Sequence, residues 1–252
     1  MKTETELNNG NVNMARRSFL RYAGAGVAGI GLISAASSCH KDHNVTPSGT
    51  IDVGSGDPGI LNYAYALEQL EAAFYTQVIA TPYSGMASVE ISFLTDIRDH
   101  EVAHREFFKA ALGTGAIQAL TPDFSSINFS SRASVLTAAK AFEDLGVTAY
   151  DGVGYLIQNP AYLVIAGSIV SVEARHAALI GNLITFGNFA SSDQVDATTG
   201  LNASNKPSVV LAAANTYLKT KVSARSFSYL WLCALCPVLE EQVCWRHSAR
   251  SR

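Results

Sequence analysis

Two short motifs carry the chemistry legible in this 252-residue chain. Glu101-Val102-Ala103-His104 and Glu173-Ala174-Arg175-His176 are both Glu-x-x-His units. A separation of three puts the carboxylate and the imidazole on one helix face, one turn apart, where both can grip one metal ion. Each unit is preceded by a lone glutamate in apolar sequence: Glu68 lies 33 residues before Glu101, and Glu143 lies 30 before Glu173. Each of these glutamates is followed seven residues later by a tyrosine, Tyr75 or Tyr150. The order Glu, Tyr, Glu-x-x-His therefore occurs twice, an internal repeat marked by ligand spacing rather than by overall identity.

Glu68, Glu101, His104, Glu143, Glu173 and His176 make a mixed oxygen and nitrogen donor set that suits two Fe or two Mn ions. Two divalent ions carry +4 and four carboxylates carry −4, so a loaded site is neutral, as a low-dielectric core requires. Glu71 is a fifth carboxylate, read as an alternative ligand or as an acceptor for a ligand histidine's N–H. Tyr75 and Tyr150 are expected to be buried, either hydrogen-bonding ligand carboxylates or serving as redox-active groups. His100 is expected on the surface, because it turns about 100° away from Glu101. The bland alternatives are a solvated face for Glu101 and His104, flanked by Asp99, His100, Arg105 and Glu106, and an ion pair of Glu173 with Arg175 or Arg132. The matched repeat favours the metal.

Long helices must position these groups. Asp57-Pro58 reads as an N-cap acid with proline in the first turn, opening a helix over 58–80. A second is predicted over 87–112, ending at Gly113. A third covers about 131–157, and Asn159-Pro160 separates it from a fourth over 161–186. The stripe Leu61, Ala64, Glu68, Glu71, Tyr75, Val78 is spaced by threes and fours, and so are Leu94, Ile97, Glu101, His104, Phe108. Leu136, Ala139, Glu143, Val147, Tyr150 and Ile165, Ile169, Glu173, His176, Ile180, Leu183 repeat the pattern. Each helix thus turns a carboxylate inward with its apolar residues, and a buried lone carboxylate is costly enough to demand a common cause. Tyr63, Tyr65, Phe74 and Phe108 read as core or interface packing. The 19 residues between the second and third helices can span a bundle, which predicts two helical hairpins joined by a long crossover. Residues 188–205 are loop-like, and Pro207 opens a short last helix.

The chain resembles the ferritin-like superfamily of di-metal carboxylate bundles, which includes rubrerythrin and bacterioferritin relatives. More narrowly, Leu61-Asn62-Tyr63-Ala64, the run Leu67-Glu68-Gln69-Leu70-Glu71-Ala72-Ala73-Phe74-Tyr75 and Glu173-Ala174-Arg175-His176-Ala177-Ala178 resemble exported bacterial ferritin-like domain proteins and plant desiccation-related proteins. The resemblance covers about residues 58–187. It implies an all-α, ferritin-like four-helix bundle with a metal site at Glu68, Glu101, His104, Glu143, Glu173 and His176. It does not imply one reaction, since the superfamily includes storage proteins, peroxidases, catalases and oxygenases.

Residues 1–39 read as an export signal. Arg16-Arg17-Ser18-Phe19-Leu20-Arg21 precedes an uncharged, Gly- and Ala-rich stretch over 22–38 and resembles the twin-arginine signal, although Ala15 stands where Ser or Thr is usual. Cys39 after Ser37-Ser38 is a candidate lipoprotein site, so the expected location is periplasmic or membrane-anchored. Residues 40–57 read as a polar tether. Both Trp and three of four Cys fall in the last 22 residues: Trp231, Cys233, Cys236, Cys244 and Trp245. With His247 these Cys allow a zinc knuckle, a redox pair or a disulfide. The favoured reading is a C-terminus, from about Lys219, foreign to the body.

Charge bounds the function. The chain is 48% apolar and 15% charged with net charge −3, which excludes disorder. Residues 39–218 hold 8 Lys and Arg against 17 Asp and Glu, a net −9, which suits metal cations and excludes a nucleic-acid partner. A homodimer is a candidate assembly. Three functions stay open: an oxidoreductase activating oxygen or peroxide in stress protection, a non-enzymatic metal-binding protein, and a structural bundle with a vestigial site.

Overall fold

The structure, a computed structural model, describes residues 49–227. The expected export signal, Cys39, most of the tether, and the Cys- and Trp-bearing tail lie outside these residues. The elements are β1 (Ile51–Asp52), α1 (Gly56–Ala80), α2 (Ser88–Leu112), α3 (Arg132–Val153), α4 (Pro160–Ile184), α5 (Pro207–Ala214) and β2 (Val222–Ser223). Short 3-10 turns follow α2, α3 and α5. The architecture is an all-α bundle: α1 packs mainly along α2 and α3 along α4, giving two hairpins, with α5 against α3.

Local chemistry sets the boundaries. Asn159 caps α4, its Oδ1 accepting from Ala161 N at 2.9 Å, and Pro160 supplies the first helical residue, whose missing N–H costs nothing there. Ser131 caps α3. The expected cap at Asp57 is displaced: α1 begins at Gly56 behind Ser55. Asp57 instead accepts from Gln158 N and Asn159 N at 2.9 Å each, which ties the start of α1 to the start of α4. Helix α3 stops at Val153, earlier than predicted, because the chain tightens into a 3-10 turn over Gly154–Leu156 before the proline.

The four inward stripes occupy the core. In α1, α2 and α3 every predicted position is buried, and in α4 Ile169, Glu173, His176 and Ile180 are. Tyr63, Tyr65, Phe74 and Phe108 are buried as expected. Helix α4 is the least sheltered. It exposes Leu163 and Val164, and by length and composition alone it is apolar enough to cross a membrane. It nevertheless turns Glu173 and His176 into the bundle.

The crossover from Gly113 to Ser131 is held by two buried amides of α1. Asn62 donates to Gly115 O at 3.0 Å and Val53 O at 3.3 Å, and accepts from Ile117 N at 2.9 Å. Gln69 accepts from Leu120 N at 2.8 Å.

Two boundaries shift. Ile51 and Val53, in the expected tether, are buried, and β1 pairs in parallel with β2. Residues 220–227 also belong to the body: Val222 is buried in β2, and buried Phe227 packs its ring against Tyr63 at 6.0 Å. The composition change begins at Trp231, outside the described residues.

Candidate metal centre

The two repeats meet in the middle of the bundle. Helix α1 contributes Glu68, Glu71 and Tyr75; α2 contributes Glu101 and His104; α3 contributes Glu143 and Tyr150; α4 contributes Glu173 and His176. All four predicted ligand carboxylates are fully buried, and His104 and His176 nearly so. Their donor atoms form two overlapping groups, each within 4.8 Å: Glu68, Glu101, His104 and Glu173, and Glu101, Glu143, Glu173 and His176. Glu101 and Glu173 are common to both. The arrangement offers two adjacent cation positions, each with one private carboxylate and one imidazole, and two carboxylates placed between them.

The state of these atoms tests whether a metal fits. Among the described residues, ten buried side-chain polar atoms lack a hydrogen-bond partner. Eight belong to these six residues: Glu68 Oε2, both oxygens of Glu101, His104 Nδ1, Glu143 Oε2, both oxygens of Glu173, and His176 Nδ1. His176 Nδ1 is 2.8 Å from Glu101 Oε1, and His104 Nδ1 is 3.0 Å from Glu173 Oε1, yet neither satisfies hydrogen-bond geometry. Buried polar atoms are nearly always paired, so eight orphans converging on one point is the arrangement expected of a cation cage.

The tyrosines bind crosswise. Tyr75 of α1 donates to Glu143 Oε1 of α3 at 2.5 Å, and Tyr150 of α3 donates to Glu68 Oε1 of α1 at 2.5 Å. Each bond fixes one oxygen of a glutamate and leaves the orphaned Oε2 facing the centre. Burial, then the neighbouring carboxylates, push both tyrosines well above their ordinary range, so they stay protonated donors.

Burial and crowding shift these groups from their ordinary ranges. Burial raises Glu101 to about 7, and burial followed by Glu101 raises Glu173 well above the carboxylate range. Burial opposes charge on the imidazoles, but the surrounding glutamates outweigh it: Glu101 and Glu143 lift His176 to about 11, and Glu68, Glu101 and Glu173 lift His104 further.

Glu71 differs from expectation. Neither imidazole donates to it: the histidine Nδ1 atoms face the other carboxylates. It lies against Gly146 of α3, where an added Cβ would stand 3.0 Å from Glu71 Oε1 and 3.4 Å from Glu173 Oε2. Burial and then Glu173 raise it well above the usual range, which favours its neutral form. Gly146 escaped the sequence reading. Its only signal was a glycine inside a helix, a cost of roughly 0.5–1 kcal/mol with no turn to explain it.

His100 is exposed as expected, yet it is not isolated: its Nδ1 lies 2.9 Å from His176 Nε2. Arg132 does not pair with Glu173. It pairs with Glu90, which also accepts from Tyr83 at 2.7 Å. Asp99 and Glu106 pair with Arg98 and Arg105 outside the centre.

An apolar cavity of about 20 Å³ adjoins the centre, lined by Ala64, Leu67, Phe108, Tyr150, Ile165 and Ala166 among others. It has room for one small molecule. Tyr150 stands between it and Glu68.

A family model described as a ferritin-like domain matches residues 56–185. The match begins at the first residue of α1 and ends one residue past α4. No curated protein matches the chain.

Proposed function

The chain belongs to the ferritin-like domain family, and from that premise we propose that it holds two iron or two manganese ions and uses them in oxygen or peroxide chemistry, in stress protection outside the cytoplasm. One observation carries the proposal: eight orphaned donor atoms, in two overlapping groups that share Glu101 and Glu173. Glu68 and His104 would hold one ion, Glu143 and His176 the other, and Glu101 and Glu173 would bridge them. Such a pair supplies redox electrons and Lewis acidity when bound.

The chain's own residues do the rest. Tyr75 and Tyr150 hold Glu143 and Glu68 so that a single oxygen of each faces inward. Burial and the neighbouring Glu173 favour the neutral form of Glu71, and a neutral Glu71 would leave four carboxylates to balance two divalent ions. The apolar cavity behind Tyr150 favours a small non-polar reactant such as dioxygen over peroxide. In this proposal residues 1–39 direct export of the folded protein, Cys39 anchors it if lipidated, and exposed Leu163 and Val164 support pairing of two copies.

Metal analysis of the purified full chain tests the centre. The expected result is two Fe or Mn per chain, both lost in Glu173→Ala, because that residue serves both positions. A metal-free wild-type protein whose stability is unchanged by Glu173→Ala would mean a vestigial site. Oxygen or peroxide consumption by the loaded protein then separates turnover from metal buffering.

A further inference from the structure

An imidazole that binds a metal through one nitrogen carries its proton on the other, and what accepts that proton sets the ring's tautomer and orientation. His176 turns Nδ1 to the carboxylates, 2.8 Å from Glu101 Oε1 and 3.3 Å from Glu143 Oε2. Its Nε2 faces outward and lies 2.9 Å from Nδ1 of His100. The two ring planes are 7° apart and their centroids 5.2 Å apart. A 2.9 Å contact plus the two ring radii accounts for that centroid distance, so the rings lie edge to edge in nearly one plane. This is the geometry of an in-plane N–H···N hydrogen bond, not of a face stack.

The roles follow. With Nδ1 reserved for a cation, His176 must donate from Nε2, and His100 must accept through Nδ1 and keep its own proton on Nε2. The repeat does not duplicate the device. His100 immediately precedes Glu101, and the matching residue before Glu173 is Val172, which has no side-chain acceptor to offer His104. A centre that is otherwise two-fold symmetric in its donors is asymmetric in what holds its imidazoles.

We propose that His100 is a positioning residue for His176, and that it makes the two metal positions inequivalent, the one built on Glu143 and His176 being the more firmly organised. This rests on the metal centre proposed above. His100 touches no metal in this arrangement; it acts by locking a neighbouring ring. Its exposure leaves that lock at the protein surface, reaching from α2 across to α4.

The test is anaerobic titration of the full chain with Co(II), read by visible absorption and by the hyperfine-shifted imidazole N–H resonances. Wild-type protein takes up two ions and shows one N–H protected from exchange with water. In His100→Ala one position weakens by about 10–100-fold, the usual cost of removing such a partner. The other position is unchanged, and the protected N–H is lost. His100→Asn, which offers an oxygen near the place of Nδ1, restores both affinity and protection. Circular dichroism of the metal-free variants checks that each is folded. Equal weakening of both positions, no weakening of either, or failure of His100→Asn to restore the signal overturns the proposal while leaving the metal centre standing. A wild-type chain that binds no Co(II), Fe or Mn removes the centre itself, and His100's role with it.

Discussion

Five glutamates lie buried within a few ångströms of one another, and each has its own reason to be tolerated. Glu68 and Glu143 are tied at one oxygen by a tyrosine from the opposite hairpin. Glu101 and Glu173 have no such tie, and all four of their oxygens are orphaned. Burial and the carboxylates around Glu71 favour its neutral form. Removing one tyrosine hydroxyl should therefore loosen one private ligand without touching the bridging pair. Tyr150→Phe frees Glu68 Oε1, and calorimetric titration should show one metal position weakened by roughly 10-fold or more. The pH dependence of the metal-free protein follows from the same crowding. Burial holds Glu101 at about 7, above the ordinary carboxylate value, so the folded state binds more protons than the unfolded state between the two. That stabilisation is present at low pH and lost as pH rises toward 7. His176, lifted to about 11, contributes stability that is full below the ordinary imidazole value and lost as pH rises through 11, so it adds to the fall. Urea unfolding should thus give a lower stability at pH 8 than at pH 5 without metal, and saturating metal should reverse the order, because its ligands must be ionised.

At the scale of elements, the first helix does two jobs with one buried surface. Glu68 and Glu71 face the centre, while Asn62 and Gln69 hold the crossover that lets the second hairpin close over the first. The crossover has backbone groups that must be satisfied where it meets the core, and α1 supplies the partners. Asn62→Leu should remove the side-chain acceptor of the Ile117 N–H and cost about 1–3 kcal/mol in chemical unfolding. The metal stoichiometry should be unchanged, since no donor moves. Helix α2 shows why a charged helix can still hide a site. Arg98 pairs with Asp99 and Arg105 with Glu106 away from the core, while Glu101 and His104 turn inward with Leu94, Ile97 and Phe108.

Across the whole molecule, both ends of the described chain fasten the same end of the bundle. Ile51 N donates to Lys221 O at 2.8 Å and Val53 N to Ser223 O at 2.9 Å, and Phe227 seats against Tyr63 of α1. Asp52 accepts from the hydroxyls of Ser223 and Ser226, 171 and 174 positions away, and together these contacts make residues 220–227 part of the body. Phe227→Ala should destabilise the protein by about 3–5 kcal/mol, as for other fully buried phenylalanines. A silent variant in thermal unfolding would return that segment to the status of an appendage. Metal acts on the whole bundle as well, because all four long helices contribute donors. Saturation at a hundred times the dissociation constant should add about 2.7 kcal/mol per independent site.

The sequence by itself determined the helices, the inward stripes and the six residues whose buried side chains converge. These rest on local rules: apolar spacing near 3.6, breakers at Gly113 and Pro160, and a ligand order that repeats. The tertiary structure decided what depends on side chains reaching between elements. The crosswise tyrosines, the sharing of Glu101 and Glu173, the close approach of Glu71 to Gly146, and the edge-to-edge contact of His100 with His176 join different helices. The direction of His100 along its own helix predicted exposure correctly, but it carried no information on which ring from α4 would lie beside it. Likewise Ile51, Val53 and Phe227 sit in short stretches without a periodic pattern, so their burial was invisible until the two ends of the chain were placed together. Periodicity fixes a face, and only packing brings two faces into contact.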